Sequence, residues 1–266
     1  MAKRPLVFGV LNVTPDSFSD GGSWEDPTVA LSHARAMIDA GADVIDVGGE
    51  STRPGAARID ASEERRRIEP IVRALIADGV IVSLDTMRAD TARLGIELGV
   101  TYINDVSGGL ADEEMFAAVA GTDCTYIAMH WRGESDVMDG LATYDDVTAD
   151  VVTELLARID SAQAAGIDSS RLWVDPGLGF AKTAEHNWQI LREIDQIVAL
   201  GFPVLLGASR KKFLAPYGET PAERDEATAT ISVLAADAGV SAVRVHNVAT
   251  TTAALSVWEN WKDAGA

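Results

Sequence analysis

Residues 28–47, TVALSHARAMIDAGADVIDV, decide the fold. Up to Ala40 the segment spaces Ala, Leu and Ile at helical intervals. Gly41 then stops the helix, and residues 44–47 form an apolar run of strand length. The same unit recurs along the chain. Apolar runs lie at residues 6–11, 44–47, 80–84, 101–103, 124–129, 172–174, 204–206 and 242–245. Helical spacing fills residues 28–40, 63–78, 90–98, 112–120, 147–165, 184–200, 223–238 and 249–262. Most of these helices end at a glycine: Gly41, Gly79, Gly99, Gly121, Gly166, Gly201 or Gly239. Eight apolar runs, each followed by a helix, predict parallel strands joined by crossover helices.

A closed eight-stranded barrel and an open doubly wound sheet both accommodate this alternation. The chain has 266 residues, close to the roughly 250 that such a barrel needs. No G-x-G-x-x-G follows the first strand, which weakens the dinucleotide-binding alternative. No linker or composition shift divides the chain. Residues 1–266 are therefore expected to form a single α/β domain, a (β/α)8 TIM barrel with long loops after strands one and two.

Composition narrows the partners. The formal charge of −19 repels phosphate backbones, so nucleic acid is not expected. No apolar stretch reaches the roughly 20 residues of a membrane span. The apolar run after Pro5 is interrupted by Gly9 and Asn12 and reads as a strand, not a secretory leader. Cys124 is the only cysteine, compatible with a reducing compartment. A cytoplasmic protein is expected, its scarce basic residues gathered wherever an anion binds.

In such a barrel the site lies at the C-terminal strand ends. Those ends carry Asn12; Asp46 and Glu50; Asp85; Asn104 and Asp105; His130; Asp175; Ser209, Arg210 and Lys211; and Arg244 with His246. Some could be caps or turn residues, but an ionisable or amide group at every strand end points to a site. Asp85, Asn104 and Asp175 suit a flat heterocycle rich in N–H donors, such as a 2-amino-4-oxo ring. Lys211 supplies a donor to that ring or a counter-ion to Asp175; both roles stay open. Barrel closure makes Asn12 a neighbour of Arg244 and His246, a set suited to phosphate oxygens, and the amide oxygen can ligate Mg²⁺. The loops at residues 14–22 and 48–55 mix glycine with Asp, Ser, Thr, Phe18 and Arg53, the composition of lids that touch ligand.

Seven ordered strings carry a resemblance. They are N-V-T-P-D-S-F-S-D-G-G at residues 12–22, G-G-E-S-T-R-P-G at 48–55, S-L-D-T at 83–86, N-D-V-S-G-G at 104–109, D-P-G-L-G-F at 175–180, G-A-S-R-K at 207–211 and R-V-H at 244–246. Together they resemble the dihydropteroate synthases, pterin-binding barrels of folate biosynthesis inhibited by sulfonamides. The resemblance implies condensation of 6-hydroxymethyl-7,8-dihydropterin diphosphate with p-aminobenzoate. It assigns the pterin to Asp85, Asn104, Asp175 and Lys211, with Met129 and Phe180 as apolar walls and Gly207 beside them. Asn12, Arg244 and His246 would hold the diphosphate with Mg²⁺, helped by Thr52 and Arg53. Asp16, Ser17, Phe18, Thr52 and Pro54 would close over p-aminobenzoate. Its carboxylate would rest at the start of the helix after Arg210, near Lys212. Asp16, Asp85, Asp175 and Lys211 are the implied catalytic residues, and Asn12 is the implied metal ligand.

Two positions depart from the family pattern. Asn247 replaces an aspartate after R-V-H, which predicts a charge missing near the diphosphate. Lys212 replaces a common serine. A non-catalytic pterin-binding paralogue, a methyltetrahydrofolate-dependent methyltransferase and Schiff-base chemistry at Lys211 stay open as alternatives. The family also implies a homodimer, for which Trp258 and Trp261 are candidate contacts unless they pack on their own barrel.

Overall fold

The computed structural model describes residues 3–14, 27–50 and 58–264. Its strands are β1 (Leu6–Asn12), β2 (Val44–Gly48), β3 (Val82–Asp85), β4 (Tyr102–Asp105), β5 (Thr125–Met129), β6 (Leu172–Asp175), β7 (Leu205–Leu206) and β8 (Ala242–Val245). All pair in parallel in the order β6-β5-β4-β3-β2-β1-β8-β7. A single bridge from Val174 to Val204 joins the two outer strands. The barrel is nearly closed.

The helices around it are α1 (Pro27–Asp39), α2 (Ala61–Ala77), α3 (Ala89–Leu98), α4 (Met115–Val119), α5 (Val147–Ala164), α6 (Ala184–Arg192), α7 (Ile194–Val198), α8 (Asp225–Asp237) and α9 (Val248–Asp263). Every glycine predicted as a helix stop has positive φ, with Gly41 at 98°, a conformation that costs a residue without Cβ little. Two predicted helices are shorter or broken. Residues 112–120 yield only the short α4, because the Asp112 carboxylate accepts the amides of Ala89 and Glu114 and holds its own segment in a turn. Residues 184–200 break at Glu193, where φ −112° and ψ 21° leave the helical region.

Strand alternation separates two cores. Outward residues such as Val7, Ile45, Leu84 and Val243 pack against the helices. Inward residues Phe8, Val44, Ile127, Leu205 and Ala242 form a second cluster, with Tyr102 and Trp173 against it. Three of its rings pack edge-on or tilted, with centroids 5.2 Å apart for Phe8–Tyr102, 5.5 Å for Tyr102–Trp173 and 6.3 Å for Phe8–Trp173. This aromatic plug fills the N-terminal end of the barrel. Two residues further along β2, β4, β6 and β8 the inward positions turn polar, to Asp46, Asn104, Asp175 and Arg244, and that change creates the site.

Candidate active site

Strand register levels the polar positions. Asn12 pairs with Gly48, Gly48 with Asp85, and Asp85 with Asn104; Met129 pairs with Asp175 on the far side. Gly48 leaves the gap between the first two open: a Cβ there would lie 3.4 Å from Asn12 Oδ1 and 3.5 Å from Asp85 Oδ2. Gly207 does the same opposite. Its missing Cβ would sit 3.7 Å from Asp175 Oδ2, 3.8 Å from Lys211 Nζ and 4.0 Å from Arg244 Cβ. Asp175, Lys211 and Arg244 thus converge on one small opening.

Arg244 stands among acids. Its Nε lies 2.5 Å from Asp46 Oδ2 and its Nη2 lies 2.7 Å from Asp85 Oδ2. Asp46 is fully buried and also accepts from the Asn104 amide at 3.3 Å. Burial works against the arginine's charge, but Asp46 and Asp85 more than offset it and raise its pKa. One guanidinium cannot neutralise two carboxylates. Burial pushes Asp85 up to about 7, Arg244 opposing and Asp46 adding to the rise. Arg244 therefore joins Asp46 and Asp85, whereas the sequence reading grouped it with His246.

Lys211 closes the opposite side. Its Nζ donates to the carbonyl of Leu178 and lies 4.8 Å from the centroid of the Phe180 ring. Burial lowers its pKa to about 8, against the pull of Asp175. Asp175 is raised by burial, with Lys211 opposing, and its Oδ1 accepts the amide of Gly177 at 2.7 Å.

His246 is partly buried, and its Nδ1 lies 2.9 Å from the hydroxyl of Ser209. No hydrogen bond among the described residues engages the Asn12 amide, and those residues contain no cluster of three His, Cys, Asp or Glu that could hold a metal. Asn247 stands at the start of α9. It caps α9 by accepting from Thr250 N at 3.1 Å, and its amide donates to Asp225. Its side chain is thus occupied by the helix start and by Asp225, which also holds Arg210 at 2.8 Å. The helix after Arg210 is a 3-10 helix, Lys212–Tyr217, rather than an α-helix, and Lys212 at its start is exposed.

Other ring members are structural. Asp105 turns away from the opening to accept from Tyr126 Oη at 2.6 Å and from Ser107 and Gly109. Glu50 binds Arg58 at 2.6 Å and also pairs with Arg88, which holds Glu64 at 2.7 Å. His130 is 2% exposed and sits between Glu154 and Lys182. Sequence reasoning singled out neither of those two partners. Asp16, Ser17, Phe18, Thr52, Arg53 and Pro54 lie outside the described residues.

A family model for pterin binding enzymes matches residues 8–246. A dihydropteroate synthase of Mycobacterium leprae is 49% identical over 274 aligned positions, covering 100% of this chain and 96% of the relative. The chain belongs to the dihydropteroate synthase family. Solved members of that family share its fold. A Xanthomonas albilineans dihydropteroate synthase with 4-aminobenzoic acid superposes with TM-score 0.91 at 39% identity, over 98% of this chain and 94% of that one. Another structure of that dihydropteroate synthase, in complex with 7,8-dihydropteroate, gives 0.88 at 37% identity, over 98% and 95%. These relatives favour the dihydropteroate synthase reading over a methyltransferase. No described helix is long and apolar enough to cross a membrane.

Proposed function

We infer that this chain condenses 6-hydroxymethyl-7,8-dihydropterin diphosphate with p-aminobenzoate, giving 7,8-dihydropteroate and diphosphate. The observation that carries the reading is the convergence of Asp85, Asn104, Asp175, Lys211 and Arg244 at one barrel end in a chain 49% identical to a dihydropteroate synthase over its whole length. The ligands bound to the Xanthomonas albilineans protein, 4-aminobenzoic acid and 7,8-dihydropteroate, support the same reaction here.

In this reading Asp85, Asn104 and Asp175 accept the ring N–H groups, and Lys211 donates to the ring oxygen. Met129 and Phe180 flank the bicycle, and Gly207 leaves it room. The C–O bond to diphosphate breaks first, and its electron pair leaves with the diphosphate. The nitrogen lone pair of p-aminobenzoate then forms the C–N bond, and its surplus proton passes to solvent. In their carboxylate forms Asp46, Asp85 and Asp175 outnumber Arg244 and Lys211, and that charge would stabilise a cationic pterin methylene. A neutral aryl amine needs no strong base.

Arg244, released from Asp46 or Asp85 by the incoming ligand, and His246 would contact the diphosphate. Asn12 Oδ1, which no hydrogen bond engages among the described residues, would hold a Mg²⁺, a hard ion that suits an amide oxygen together with diphosphate oxygens. Bound there, the ion would spread the leaving group's negative charge. Asp16, Ser17, Phe18, Thr52, Arg53 and Pro54 carry the family's motif residues for closing over the aryl amine, whose carboxylate we assign to the backbone start at Lys212. The buried thiol of Cys124 fits a cytoplasmic setting. The reading extends to a homodimer through α8 and α9. Leu234, Val257 and Trp261 are 64%, 71% and 79% exposed there, whereas Trp258 donates to Asp237 of its own chain. Sedimentation of a Trp261→Glu variant as monomer against a dimeric parent would support that face; an unchanged dimer would place the interface elsewhere.

Diphosphate release tests the reaction. Release should require both substrates and Mg²⁺, and dihydropteroate should appear in equal amount. Tight binding of both substrates without product would instead favour the non-catalytic paralogue.

A further inference from the structure

Lys182 stands two residues beyond the D-P-G-L-G-F string, in a position that the reaction as described leaves without a task. Its Nζ meets three acceptors, one for each proton of an ammonium: the carbonyls of Gly177 and Phe180, each at 3.0 Å, and Nδ1 of His130 at 2.8 Å. Burial, then the Lys211 charge, lowers the pKa of Lys182 well below the usual lysine value. Glu154 fixes that histidine from the other side, with Oε2 2.9 Å from Nε2. A carboxylate accepts only, so the ring proton lies on Nε2, and Nδ1 is left to accept from the lysine. Arg132 in turn holds Glu154, with Nη2 2.5 Å from Oε1.

The segment so gripped is the one that carries the pterin residues. Gly177 donates its amide to Asp175 Oδ1 at 2.7 Å, so one residue, Gly177, links Lys182 to the Asp175 carboxylate through its two flanking peptide groups. On the other side Leu178 gives its carbonyl to Lys211. The carbonyls of Gly177, Leu178 and Phe180 therefore face two ammonium groups, and these set the angle at which Asp175 and the Phe180 ring meet the opening. A Cβ at Gly177 would collide with the carbonyl of His130, so β5 and this segment are also locked by close approach.

We propose that Lys182, held by the His130–Glu154 pair, is a positioning residue that sets residues 175–180 for pterin binding. It touches no reacting atom. The proposal rests on the pterin assignment of Asp175, Lys211 and Phe180 above. The charged and titratable groups around Lys182 are His130 and Arg132 after β5, Glu154 on α5, and Asp175 and Lys211 from the opening. Of these, His130 is the direct link, since protonating Nδ1 removes the lone pair that Lys182 uses.

The test is titration of 6-hydroxymethylpterin into wild type and variants, together with steady-state kinetics. Lys182→Met and His130→Leu should each weaken pterin binding about 10- to 100-fold, the effect of losing a charge-assisted hydrogen-bond set. KM for p-aminobenzoate should change by less than about twofold, because its subsite is not touched. His130→Asn places an amide oxygen near the position of Nδ1 and should recover most of the affinity. If Lys182→Met does not fold, the contrast between the leucine and asparagine variants decides. Wild type that binds pterin no better than the folded variants overturns the proposal. So does a loss shared equally with p-aminobenzoate, which would mark a global defect. A wild type that binds no pterin overturns the function reading as well, which separates the two failures.

Discussion

Arg244 and Asp85 lie 2.7 Å apart although 159 positions separate them in sequence. The contact exists only because β8 closes against β1. It makes the cation that would receive the diphosphate also the counter-ion of the acids that would receive the pterin. Removal of Arg244 takes the counter-ion from Asp46 and Asp85 and leaves Asp46 only the Asn104 amide among the described residues. Losing one member of a buried ion pair costs about 3–5 kcal/mol. Arg244→Ala should therefore unfold at distinctly lower denaturant concentration, besides losing substrate affinity. Unchanged stability would mean that the two carboxylates are neutral in the resting protein.

Pterin affinity should depend on pH through two groups. Asp85 is pushed up to about 7 by burial, so as a carboxylate acceptor it is available only above that pH. Lys211 is lowered to about 8 by burial, so its proton is lost above that. The kcat/KM for the pterin substrate should rise through pH 7 and fall through pH 8. Lys211→Arg should move the falling limb upward, and a limb that stays in place would assign it to another group.

His130 predicts a stability slope. Burial, then the nearby Lys182 charge, lowers its pKa from 6.5 to about 4. Between these values the unfolded chain binds a proton that the folded chain does not, so stability falls as pH drops from about 6.5 to about 4. For a side chain this buried the loss is about 3 kcal/mol. Denaturant titrations at pH 7 and pH 5 should show the difference shrink in His130→Asn. An equal slope in both proteins would remove the histidine from the account.

Gly207 separates folding from binding. A methyl group there makes only ordinary van der Waals contacts, at 3.7 Å from Asp175 Oδ2 and 3.8 Å from Lys211 Nζ, and no positive φ forbids it. Gly207→Ala should fold with stability within about 0.5 kcal/mol of the parent yet bind pterin less tightly, by calorimetric titration. Full affinity would show that the ring does not reach this point.

Asn247→Ala should cost about 1 kcal/mol through loss of the α9 cap, since its side chain accepts from Thr250 N. Pterin affinity should be retained. Chemical denaturation checks the first outcome, and binding at constant stability checks the second.

Much of this arrangement was legible in the chain. The strand and helix pattern, the glycine stops and the polar ring all follow from local periodicity, which needs no tertiary information. The Arg244–Asp46 pair was not legible, because it spans 198 positions and depends on where barrel closure brings β8. Lys182 was missed because a lysine after a glycine-rich string reads as a solvated loop residue; only its three acceptors distinguish it. Glu154 was one acid among many on an amphipathic helix. Asp112 misled in the opposite sense, since its helical neighbours gave no hint that its carboxylate would cap α3 and shorten α4.

The convergence of acids and lysine on one bicyclic ring is tested most directly by calorimetric titration of 6-hydroxymethylpterin into Asp175→Asn and Lys211→Ala. Each substitution breaks a buried charged contact, and each should weaken binding by at least about 30-fold. Affinity equal to the parent in both variants would contradict the account, because the ring would then bind away from the barrel end where these side chains meet.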